Sequence, residues 1–182
     1  MHDLIFISAI TVILLPLFFF PATSAMFAVI RRWIIGEVDV RIISSFWQHY
    51  KRNYVRSMVG GIAIILIWVI FLLDYYYFVN FVHERFEYLF YGLLIYLFMF
   101  TIHFFSNTAH FDMHVRLTLK NSLLMTLKNP VLSFIISVIS LFILFISFSF
   151  APFLIPFFMG SFIAIISFTG FYRVCLNIPV KK

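Results

Sequence analysis

Apolar residues fall in five long runs separated by short polar intervals. The runs extend from about Leu4 to Ile30, Ser57 to Phe78, Phe86 to Ser106, Val131 to Phe150 and Pro152 to Val174. Each is long enough to cross a hydrocarbon core of about 30 Å at about 1.5 Å per residue. None alternates as a barrel strand does, so the backbone must satisfy its own hydrogen bonds inside helices. The pattern predicts an all-α integral membrane protein. It would be one transmembrane domain over residues 1–182 with about five transmembrane helices.

Two of the polar intervals carry a periodicity of their own. Within 40–56, Ile43, Phe46, Trp47, Tyr50 and Tyr54 recur at i, i+3, i+4, i+7 and i+11, one face of a helix. Arg41, Gln48, Lys51, Arg52 and Arg56 fall mostly elsewhere on the wheel. A basic amphipathic helix with an aromatic face lies in the headgroup plane of a membrane. Within 114–128, Arg116, Lys120 and Lys128 interleave with Leu117, Leu119, Leu123, Leu124 and Leu127, and Pro130 ends the helix. The two blocks share a plan: a span, an Asp, a basic helix, a cation followed by Asn (Arg52-Asn53; Lys128-Asn129), and a returning span. This suggests a weak parallel repeat of the sort transporters contain, with the fifth span as an addition.

The first run would reach about 40 Å as a straight helix, more than a bilayer core requires. Pro21 lacks a backbone donor and crowds the carbonyl of Leu17, which predicts a kink there. Thr23 or Ser24 is placed to satisfy the freed backbone group. Beyond the kink, Ala22, Ala25 and Ala28 would admit a close neighbouring helix. Thr23-Ser24-Ala25 resembles a cleavage site, but the positive charge of this segment follows the apolar run, at Arg31 and Arg32, rather than preceding it. That order is expected to retain the helix and send its N-terminus outward.

Composition agrees with lipid as the solvent. The chain is 64% hydrophobic and only 11% charged, with 27 Phe, and its mean hydropathy is +1.07. A soluble domain of this length has no way to hide so much apolar surface. A net charge of +6 would suggest nucleic acid for a soluble domain. Here no nucleic-acid partner is expected, and the charge instead reports orientation. Arg31, Arg32, Arg41, Lys51, Arg52, Arg56, Arg116, Lys120, Lys128, Arg173, Lys181 and Lys182 all fall on one side of a five-span layout, and Arg85 on the other. The positive-inside rule puts the N-terminus outside and the C-terminus in the cytoplasm, with both amphipathic helices cytoplasmic. Asp74, Glu84 and Glu87 beside Tyr75, Tyr76 and Tyr77 form an aromatic belt at the outer interface. The single cysteine, Cys175, rules out an internal disulfide and has the setting of an inert structural thiol.

Little in the sequence carries chemistry. No Lys, Arg, Asp or Glu lies near the middle of a span, which argues against an ion-coupled pump. His103, Asn107, His110 and His114 make a polar stripe, and His110 and His114 have the spacing of a helical metal pair. No Glu follows His110, and interfacial histidines are the expected reading, so no metal or cofactor is assigned. No phosphate-binding, esterase or metalloprotease motif is present, and no catalytic residues are assigned. Small-residue faces for helix packing are Pro21, Ala22 and Ala25; Ser133, Ser137 and Ser140; and Gly160, Ala164 and Ser167.

The segments "PATSAMFAVIRRW", "FWQHYKRNY" and "FDMHVRLTLKNSLLMTLKN" together resemble the YesL family of small bacterial membrane proteins, over nearly the whole chain. The carried features are Pro21-Ala22-Thr23, Arg31-Arg32-Trp33, Phe46-Trp47, Lys51-Arg52-Asn53, Phe111-Asp112-Met113 and Lys120-Asn121. Family members often have more residues before the Pro-Ala-Thr element. The resemblance supplies no biochemical activity. It implies a setting beside sugar ABC importers, glycan-degrading enzymes and two-component regulators, in the bacterial cytoplasmic membrane.

Two functions follow as expectations. The first is a non-enzymatic accessory subunit that binds ABC importer permease subunits or a sensor kinase. Its candidate contacts are Arg31, Phe46, Trp47, Tyr50, Lys51, Arg52, Asp112, Arg116 and Lys120. The second is a small carrier or channel for a neutral solute such as an oligosaccharide, acting alone or as a homo-oligomer.

Overall fold

The computed structural model describes residues 15–37, 41–82, 86–150 and 160–176. All secondary structure among them is helical. A wide π turn, Leu15–Phe19, leads into α1, Phe20–Ile35. α2 spans Ile42–Arg52 and α3 spans Tyr54–Tyr77, the latter continued by a π turn to Val82. α4 is Phe86–His110, α5 is Val115–Lys128, α6 is Pro130–Phe150 and α7 is Gly160–Leu176. Four stretches are long and apolar enough to cross a membrane: Leu17–Ile35, Tyr54–Val82, Phe86–His110 and Pro130–Ser149.

The boundaries differ from the sequence expectation at three places. The first span is not finished at Ile30. It continues to Ile35, because Arg31 and Arg32 carry long apolar stems that a helix end tolerates and the stop signal is Gly36. Gly36 has φ 99°, donates to Trp33 O at 3.0 Å, and lets Glu37 N donate to Arg32 O at 3.0 Å. That pair of reversed bonds is a Schellman cap, which needs the left-handed conformation glycine adopts freely. The 40–56 helix is two elements, since Asn53 breaks it and Tyr54 already belongs to α3. The third span runs on from Ser106 to His110. The expected fifth run overlaps α7 from Gly160 onward, and its first part lies outside the described residues.

The irregularity expected at Pro21 takes the form of the π turn just before it. Thr23 Oγ1 donates to Phe19 O at 2.8 Å rather than to Leu17, and the Ser24 hydroxyl is buried without a partner.

α4 lies at the centre of the bundle, against α1, α3, α5, α6 and α7. Its Phe105 ring stacks on Phe20 (5.6 Å between centroids) and on Phe27 (5.7 Å) of α1. Phe104 fills the space over Gly60, and Phe20 the space over Gly61, where a Cβ would overlap either ring. Phe168 and Phe171 of α7 complete the aromatic core. Outward, α3 and α6 present Leu66, Ile70, Leu73, Phe142, Phe145 and Phe148. A periphery this apolar is matched by acyl chains rather than water.

The bundle repeats a plan. In α1–α2–α3 and again in α4–α5–α6, a long helix is followed by a short helix folded against its end and then by a returning helix. α7 is the addition, packed on α1, α4 and α6.

Candidate functional site

The ion pairs among the described residues lie at one end of the bundle, where α1 and α4 finish and α3 begins. Arg32, in the last turn of α1, donates from Nε to Glu37 (2.5 Å) and from Nη1 to Ser45 Oγ (2.8 Å). Ser45 is the buried residue of α2, so this bond seats α2 on the end of α1. On the other flank, Arg52 Nη2 donates to Asp112 Oδ2 at 2.6 Å and Arg56 Nη1 to Asp112 Oδ1 at 3.1 Å. Arg56 Nη2 also donates to Phe111 O at 2.5 Å. One carboxylate therefore joins the α2–α3 junction to the segment between α4 and α5, so the two blocks are tied at this end.

His49 sits between the flanks, one helical turn from Ser45 and one from Arg52. Burial holds its pKa below the ordinary 6.5, and the charges of Arg32, Arg52 and Arg31 add to this against the pull of Asp112. Arg31 Nε and Arg56 Nε are buried without a partner. Among the described residues, Arg32, Arg52 and Arg56 pair with two carboxylates, Glu37 and Asp112, and Arg31 adds a fourth guanidinium, so this cluster is electropositive.

The predicted aromatic stripe of α2 is a stacked surface. Trp47 and Tyr50 are parallel within 5° at 5.4 Å, Tyr50 meets Tyr54 at 5.6 Å, and Phe46 lies 6.2 Å from Tyr50. Lys51 Nζ stands 5.4 Å from the Trp47 ring centroid. Ile43 is 85% exposed and Trp47 54% exposed, whereas Phe46, Tyr50 and Tyr54 are half-buried, so the stripe lies partly against the protein and partly open. On α5, Arg116 and Lys120 are exposed, together with Leu117, Leu123, Leu124 and Leu127. The buried face of α5 is Thr118, Ser122 and Thr126, and its exposed face mixes leucines with Arg116 and Lys120, as an interfacial helix does.

The histidine stripe does not persist. α4 ends at His110, and His114 lies beyond the break, before α5. The i, i+4 pair is therefore absent because the two residues do not share a helix. His110 packs instead among Phe111, Phe168, Phe171 and Tyr172. His103 and Asn107 turn inward. Ser133 Oγ donates to Asn129 O (2.9 Å) and so accepts from His103 Nε2 (2.7 Å). Asn107 Nδ2 donates to Ser122 Oγ (3.1 Å) and His103 O (3.0 Å). Among the described residues, no three His, Cys, Asp or Glu side chains gather closely enough to share a metal ion.

Of the small-residue faces, Pro21, Ala25, Ser133, Ser137, Ser140, Ala164 and Ser167 are buried and Ala22 is half-buried. Gly160 is exposed, and the glycine at the α6–α7 contact is Gly170, against Ile136. The candidate contacts Arg52 and Asp112 bind each other. Arg32, Ser45, His49 and Arg56 join them in the structure, with no signal in the sequence beyond the basic character of the interval.

Residues 1–75 match the family described as "Protein of unknown function, DUF624". Among curated proteins, the uncharacterized protein YteU of Bacillus subtilis (strain 168) is 32% identical over 168 residues, which cover 87% of this chain and 72% of YteU. The uncharacterized protein YesL of the same organism is 23% identical over 146 residues, covering 80% of this chain and 69% of YesL. The uncharacterized protein YesV matches at 40% over 58 residues, 32% of this chain and 28% of its own length. No solved structure matches the chain.

Proposed function

This chain belongs to the YesL-like family of membrane proteins with the DUF624 match, and we propose that it is a non-enzymatic accessory subunit that docks a partner through its electropositive end. The observation that carries this reading is the gathering of Arg31, Arg32, Arg52 and Arg56 around two carboxylates among the described residues, with Lys51, Arg116 and Lys120 exposed. A surface of one sign selects a partner of the other and fixes its register. The Asp112 bridge makes the surface one unit instead of two loops. The family setting nominates ABC importer permease subunits for carbohydrate, or a sensor kinase, as the partner.

In this reading the protein resides in the bacterial cytoplasmic membrane as a five-span protein. α7 belongs to the fifth span, the N-terminus is outside, and the electropositive end faces the cytoplasm as the charge asymmetry requires. An impermeant maleimide tests the orientation. In a Cys175→Ser background, Ser44→Cys should react only after the cells are opened, and Tyr88→Cys in intact cells. The reverse pattern contradicts it. Gentle solubilisation of native membranes and mass spectrometry of what accompanies the tagged protein tests the accessory role. A permease in fixed ratio supports it; the protein alone, or only with itself, sinks it.

One observation favours a second reading, a small carrier. The repeated blocks enclose buried polar groups along α4, α6 and α7, among which His103 Nδ1, Asn107 Oδ1 and the Ser137, Ser140 and Ser167 hydroxyls have no protein partner. Uptake of a labelled oligosaccharide into liposomes holding the purified protein would favour it.

A further inference from the structure

A cleft of about 240 Å³ opens between α1, α2 and α7. Met26, Ile30 and Trp33 form one wall, Ile43 and Phe46 of α2 its mouth, and Ile165 of α7 the other wall. The Ser161 hydroxyl in this cleft is turned onto Met26 Sδ at 3.6 Å, so the lining presents little polarity. From Met26 to Trp33 the cleft follows α1 for about 10 Å. It adjoins a shallow basin that shares Ile42 and Ile43 and adds Arg41, Ser44 and Trp47. Lys51 stands over the Trp47 ring at that rim.

The layout is asymmetric in a way one class of molecule matches. An apolar slot runs along a membrane-crossing helix, and its cationic rim carries two indoles, the side chain that gathers at headgroup level. We infer that the cleft is a binding site for a phospholipid with an anionic headgroup. One acyl chain lies between α1 and α7, and the phosphate rests near Arg41, Ser44 and Lys51. A guanidinium and an ammonium at the rim favour a net negative headgroup over a zwitterionic one. A second copy of the chain fits less well, because about 240 Å³ is far less than the volume of even a 10 Å length of helix about 10 Å across. The inference requires the membrane but not the accessory role, so the two fail separately.

Trp33 and Trp47 line the site, whereas Trp68 lies on α3 and donates to Thr101 Oγ1 at 3.2 Å. The test uses Trp68→Phe protein in phosphatidylcholine vesicles containing increasing fractions of chain-brominated phosphatidylglycerol or chain-brominated phosphatidylcholine. Half-maximal tryptophan quenching should need about fivefold less of the anionic lipid, the factor for roughly one surface cation near an anionic headgroup. Arg41→Gln with Lys51→Gln should bring the two curves together. Ile165→Phe, which narrows the slot, should lower the quenching reached with both lipids. If Trp68→Phe protein does not fold, the wild type gives the same comparison, since Trp68 contributes equally to both curves. Coincident curves in the unaltered rim, or a lipid preference that survives loss of both cations, would overturn the site.

Discussion

Asn53 and Asn129 break their helices in the same way. Asn53 N donates to His49 O at 3.0 Å and its carbonyl accepts from Ser57 N at 2.9 Å. Asn129 N donates to Met125 O at 3.2 Å and its carbonyl accepts from Ser133 N at 3.1 Å. Each asparagine thus ends a short helix and starts the returning one, and the serine a turn later is buried in both blocks. The serines then diverge. The Ser133 hydroxyl accepts from His103, whereas the Ser57 hydroxyl has no partner. Ser133→Ala should therefore cost about 1–3 kcal/mol, since it strands a buried imidazole donor. Ser57→Ala should stay within about 0.5 kcal/mol. Thermal unfolding of both variants in detergent checks the asymmetry, and equal losses would refute it.

The bridge at Asp112 divides unequally between its arginines. Arg52 and Asp112 are both largely exposed, so screening limits their pair to about 0.5 kcal/mol. Arg56 is mostly buried and also serves the Phe111 carbonyl. Arg56→Ala should cost about 1–3 kcal/mol and Asp112→Asn about 1 kcal/mol or less. The Asp112→Asn loss should shrink further in high salt, as an exposed pair requires. A loss that is unchanged by salt would mean Asp112 acts through packing.

Two glycines on membrane helices predict opposite outcomes. At Gly61 a Cβ would enter the Phe20 ring, while at Gly92 nothing lies within 4 Å. Gly61→Ala should destabilise by about 1–3 kcal/mol through overpacking. Gly92→Ala should be neutral or stabilising by up to about 1 kcal/mol, because alanine suits a helix interior better. Melting temperatures that move together would contradict the α1–α3 packing.

His49 makes stability depend on pH. Its folded pKa lies below the ordinary 6.5, because burial and then Arg32, Arg52 and Arg31 oppose a further positive charge. The unfolded chain thus binds the proton more readily. The contribution is intact above pH 6.5 and is lost progressively as pH falls below it. His49→Gln should flatten that part of the stability profile. An unchanged slope below pH 6.5 in the variant would assign the effect to another group.

Much of the fold was legible because apolar runs of bilayer length have few alternatives. The helix ends were less so. Arg31, Arg32 and His110 lie beyond the ends assigned to the apolar runs, yet each sits on a helix, and the His110 ring packs among aromatic neighbours. The aromatic stripe of α2 was visible from its spacing. The break at Asn53 was not, since Tyr54 extends the same periodicity. The inward face of α5 escaped notice because Thr118, Ser122 and Thr126 are neither apolar nor charged. Arg52 and Asp112 were each singled out, but a contact across 60 residues of chain leaves no local trace.

The most direct test of the docking surface is a charge reversal. Lys51→Glu with Arg52→Glu should leave the protein folded and in the membrane, with Asp112→Asn as the control for the broken bridge. Purified from native membranes under identical conditions, the double variant should retain several-fold less of the co-purifying partner than the wild type or the control. Unchanged recovery of the partner by the double variant would contradict docking through the electropositive end.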